Sequence, residues 1–73
     1  MLTAKTDRLV QTRVSRGWNK SDLARRAHVC HSSIVRIEQG EAASPRTAKL
    51  ISDALGYSVL ELFDISPDGG AVT

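Results

Sequence analysis

Three glycines, Gly17, Gly40 and Gly56, each stand directly after a stretch with the apolar spacing of a helix. Glycine enters the left-handed backbone region at little steric cost, so it is the usual residue just past a helix end. In a chain of 73 residues these stops leave only short helices. Helices of that length are marginal in water alone and must bury their apolar stripes against one another. There is room for one small domain. Its single cysteine, Cys30, excludes an internal disulfide framework, so helix packing has to supply the stability. No apolar run approaches the roughly 18–20 residues of a membrane span, and Met1 to Lys5 lack the apolar stretch of a signal peptide. The expected setting is soluble and cytoplasmic.

The capping chemistry divides the chain further. Over residues 6–16, Leu9 and Val10 lie near Val14 with Arg8, Arg13 and Arg16 between them, which predicts a first helix ended by Gly17. Asn19 is a good N-cap, Asp22 follows at capping-box spacing, and Trp18 with Leu23 form a hydrophobic staple. A second helix therefore runs from about residue 20 to about Ala27, burying Leu23, Ala24 and Ala27. The stretch Ala27-His28-Val29-Cys30 reads as a tight turn into a third helix over about residues 31–39, with Ile34 and Ile37 on one face. Ser44 caps a fourth helix with Pro45 at its first position, running to about Leu55 and burying Leu50, Ile51, Ala54 and Leu55. Ser58 and Glu61 form another box, stapled by Tyr57 and Leu62, before a short fifth helix holding Val59, Leu60, Leu62 and Phe63. No segment reads as a strand. The expectation is an all-α, compact five-helix bundle over residues 1–63, with a flexible tail over 64–73 containing Pro67, Gly69 and Gly70.

The net charge of +2 hides a division: residues 1–36 carry +6 and residues 37–73 carry −4. A basic half of this kind suits a polyanion. Two short helices joined by a tight turn form a helix-turn-helix, and the B-DNA major groove admits one α-helix with its side chains.

The stretch from Leu23 to Gly40 resembles the Xre/Cro-type phage-repressor helix-turn-helix. It carries Leu23-Ala24, a small turn, then Ser33-Ile34, Ile37-Glu38 and Gly40. Arg13 and Gly17 match the first helix of that family, and Ser44-Pro45 with Leu55-Gly56-Tyr57-Ser58-Val59 and Leu62-Phe63 match the last two. The resemblance covers about residues 6–63 and implies a lambda-repressor-like bundle and a double-stranded DNA partner. It also implies roles. His31, Ser32 and Arg36 fall where base contacts are usual, with Ser33 beside them, and Arg36 is suited to the bidentate contact with guanine. Lys20, Gln39 and Arg46 fall at phosphate-contacting positions. Arg13 and Glu38 match a structural ion pair between the first and third helices.

A module this small makes few base contacts, so a homodimer on two half-sites is expected. Leu60 and Phe63, with Ile65 beside them, are the surface left for it. The chain departs from the family pattern at His28, where glycine is usual, at Cys30, where serine or threonine caps the helix, and at Glu41, which brings a carboxylate to a phosphate-facing loop. Those three residues suit the competing reading, a protein-interaction module such as an antitoxin or a polymerase or sigma-factor partner. Arg25-Arg26 read equally as a solvated face or a phosphate clamp. Zinc needs three or four well-spaced ligands, and the chain has no Cys or His besides His28, Cys30 and His31; no metal and no cofactor is expected. Nor do the Ser, His and Asp residues form any catalytic motif, so the chain is not expected to be an enzyme.

Overall fold

The computed structural model describes residues 2–65. These form five helices, α1 (Thr6–Ser15), α2 (Lys20–Ala27), α3 (His31–Glu38), α4 (Pro45–Leu55) and α5 (Val59–Leu62), with three short strands, β1 (Leu2–Ala4), β2 (Ala42–Ala43) and β3 (Phe63–Ile65). The caps explain the helix boundaries. The Asn19 side chain accepts the Asp22 N–H at 2.8 Å, and Asp22 accepts the Asn19 N–H at 3.0 Å. Ser44 accepts the Thr47 N–H at 3.2 Å ahead of Pro45. At α5, Glu61 takes both the backbone N–H and the hydroxyl of Ser58 at 3.0 Å. Those two bonds hold the Glu61 carboxyl below its ordinary pKa, the backbone bond contributing most.

The strands correct the all-α expectation. β1 lies between the other two, antiparallel to each, with Leu2 opposite both Ala43 and Ile65, and Ala4 opposite Phe63. Leu2 and Ala4 alternate with Thr3, so they bury on one face of the sheet while Thr3 stays half-buried. The Lys5 N–H continues the ladder to the Leu62 carbonyl at 2.7 Å. The sheet thus ties the start of the chain to the end of α5. Three residues of period-two pattern are too few to stand out in a sequence, and such strands exist only because each finds its partner across the fold. Asp64 and Ile65, expected in the flexible tail, are paired in β3; the rest of that tail, 66–73, lies outside the described residues.

The core joins all the layers: Leu2 and Phe63 from the sheet, Leu9, Leu23, Ile34, Ile37, Ile51, Leu55 and Leu62 from the helices, with Trp18, Val29 and Tyr57 packed at its edge. Three expected apolar positions fall elsewhere. Val14 is exposed, because the inward face of α1 is occupied by Leu9, Thr12 and Arg13. Leu50 and Ala54 pack only partly, while Ala48 and Ser52 take fully buried places on α4. Phe63, expected on an exposed dimer surface with Leu60, is fully buried. The helix stops at Leu62, Phe63 turns extended at φ −132°, and its ring enters the core beside β1. Leu60 stays exposed, as does Ile65.

Candidate nucleic-acid interface

The α2–α3 pair is joined by a backbone turn that glycine would make with less strain. His28 adopts φ 59° and ψ 42°, the left-handed region. A non-glycine residue there costs about 1–2 kcal/mol. The turn is closed by the Val29 N–H donating to the Ala24 carbonyl at 3.0 Å. Cys30 is then extended, and its thiol caps nothing. Its carbonyl accepts from the N–H groups of Ser33 and Ile34 at 3.0 and 3.3 Å. The first turn of α3 therefore presents backbone donors without a side-chain cap, the usual condition of a helix end that takes water or an anion.

The recognition candidates distribute simply. Ile34 and Ile37 point into the core, and His31, Ser32 and Arg36 are exposed on the rest of α3. Ser33 is half-buried between the two faces. Lys20 is the first residue of α2, Gln39 caps α3, and Arg46 sits in the first turn of α4, so three separate helix ends supply the phosphate candidates. Arg36 has no ion-pair partner among the described residues.

What fixes α3 in place is a guanidinium. Arg13 donates through Nε to Glu38 Oε2 at 2.8 Å and through Nη2 to Oε1 at 3.1 Å. Its remaining arm donates to the Trp18 carbonyl at 2.9 Å. Both charged side chains are almost wholly buried, 10 % and 4 % exposed, whereas the other ion pairs of the described residues are exposed. One side chain of α1 thus holds both the approach to α2 and the far end of α3. Sequence reasoning reached the pair but not the bond to Trp18, because nothing in a linear pattern marks a carbonyl as an acceptor. Reasoning from sequence also left Arg25 and Arg26 open. In the structure Arg25 pairs with Asp22 at 2.6 Å, and Arg26 lies over the Trp18 ring, 4.5 Å from its centroid. Arg16, missed as a site residue, also approaches that ring and donates to the Leu55 carbonyl, linking α1 to the end of α4.

The sequence model of the helix-turn-helix family matches residues 9–62, well over half of the chain. The chain belongs to the Xre-like helix-turn-helix family. This is a family of DNA-binding transcription regulators, typically without enzymatic activity. The match starts after β1 and ends before β3, so the helices carry the likeness and two of the three strands lie outside it. No curated protein and no solved structure shows significant similarity to the chain. Among the described residues no helix is long and apolar enough to cross a membrane.

Proposed function

We propose that this helix-turn-helix protein is a sequence-specific repressor that inserts α3 in the major groove of double-stranded DNA as a homodimer. The observation that carries the reading is the division of α3. Its back is fixed by Ile34, Ile37 and the Arg13–Glu38 pair, while His31, Ser32 and Arg36 stand exposed. A reader of base edges needs that combination of a rigid helix and uncommitted donors. Arg36 donates to guanine O6 and N7, His31, Ser32 and Ser33 touch neighbouring bases, and Lys20, Gln39 and Arg46 hold phosphates on either side. Repression follows from occupying the groove.

Lys20→Ala tests the docking. Loss of one phosphate contact should weaken binding to all duplexes alike and reduce the slope of log K against log salt by about one. An unchanged slope in a salt-dependent mobility-shift series removes Lys20, and with it the start of α2, from the interface.

For the dimer, the candidates are Leu60 and Ile65, two large apolar side chains in the last two described elements that are 59 % and 68 % exposed. Two copies meeting there bring two recognition helices to half-sites one helical turn apart. Leu60→Asp should then sediment as a monomer at concentrations where the unaltered protein is a dimer. If the unaltered protein is itself monomeric with and without bound duplex, the dimer is wrong.

A further inference from the structure

Beside the end of the recognition helix lies an open cavity of about 130 Å³, bordered by Ser33, Arg36 and Ile37 of α3, by Glu41, and by Ser44 and Thr47 at the start of α4. Arg36 and Glu41 are its two charged residues. They are held close by the way α3 ends. Gly40 takes a positive φ of 99°, and the Glu41 N–H turns back to donate to the Arg36 carbonyl at 3.1 Å. Yet the two side chains form no ion pair, and neither pairs with any other described residue. Both are exposed. A carboxylate on the border of a basic reading surface has no stabilising partner to explain it.

We propose that Glu41 is a specificity-determining residue that works by repulsion, discouraging Arg36 from binding phosphate while leaving it free to bind a base edge. The inference rests on the DNA-binding reading above. Its physical basis is the difference between the two complexes. A guanidinium that grips any duplex through the backbone draws phosphate toward the cavity where Glu41 stands, and like charges oppose that approach. A guanidinium that donates to guanine O6 and N7 reaches into the groove, away from the phosphates. Specificity is a difference of two affinities and can be raised by penalising the wrong complex alone. Without a repulsive element, an arginine at this position is also drawn to the phosphates that every duplex carries.

The experiment compares the unaltered chain, Glu41→Gln, and Asp7→Asn. Asp7 lies in the first turn of α1, outside the cavity, so its variant makes the same change in net charge elsewhere. The probes are a duplex selected by the unaltered protein from a random pool and a random-sequence duplex of equal length, titrated over a range of salt. Glu41→Gln should bind the random duplex about three- to fivefold more tightly at low salt and steepen its salt slope by about one. Its affinity for the selected duplex should change less than about twofold, so the specificity ratio falls. Asp7→Asn should leave that ratio unchanged, and all three proteins should melt within a few degrees of one another. Equal gains on both duplexes, no gain on either, or the same loss of ratio in Asp7→Asn would overturn the proposal. If the unaltered protein binds neither duplex, the DNA-binding reading itself falls and takes this inference with it.

Discussion

Glu38→Ala is expected to lower the melting temperature by roughly 10–20 °C. The substitution leaves the Arg13 guanidinium almost wholly buried with only the Trp18 carbonyl to satisfy it. Removing one partner of a buried pair costs about 3 kcal/mol, because the stranded charge keeps its desolvation penalty and loses its compensation. In a domain this small, each kcal/mol moves the midpoint by about 4–8 °C. The effect belongs to stability: at a temperature where the variant remains folded, affinity for the selected duplex should fall much less than Arg36→Ala makes it fall. The double variant Arg13→Met with Glu38→Met should recover much of the loss, since an apolar pair of similar volume carries no stranded charge. A midpoint that moves by less than about 2 °C in Glu38→Ala would mean that the pair contributes little.

The second large effect is on recognition. Arg36→Ala should weaken binding to the selected duplex by about 1–3 kcal/mol, which is about 5- to 150-fold, and should relax the base preference at one position of each half-site. Its melting temperature should hardly move, since Arg36 is exposed and makes no ion pair among the described residues. The contrast with Glu38 separates a residue that positions the helix from one that reads through it. Equal binding of selected and random duplexes by wild type and variant would show that α3 is not the reading element. Loss of stability comparable to that of Glu38→Ala would show instead that Arg36 supports the fold.

Much of this arrangement is legible in the chain because it depends on local chemistry. Asn19 with Asp22 and Ser44 with Pro45 set the starts of α2 and α4 at the residues where the structure has them. Gly17 and Gly56 take the left-handed conformation expected of helix stops, and His28 takes it without being glycine. Each of these depends on contacts within about four residues, so a linear pattern contains all the partners involved.

What failed was non-local. Phe63 follows a helical run and reads as its last apolar residue, yet it is the first residue of β3 and lies buried opposite Ala4. Val14 keeps helical spacing with Leu9 and Val10, but Arg13 takes the inward place because Glu38 waits there. Nor does any residue near Leu2 indicate that it pairs with Ala43 on one side and Ile65 on the other.

By itself, then, the sequence determined where the helices begin and where the first four end, that two of them form a helix-turn-helix, and which half of the chain is basic. These follow from caps, turns, periodicity and charge, all short-range or additive properties. Only the tertiary structure decided that a three-stranded sheet ties the two ends of the domain together, that Phe63 belongs to the core, and that Arg36 and Glu41 share one cavity. Those outcomes depend on strands and side chains meeting across the fold. Their hydrogen bonds and buried area exist only once the helices have packed.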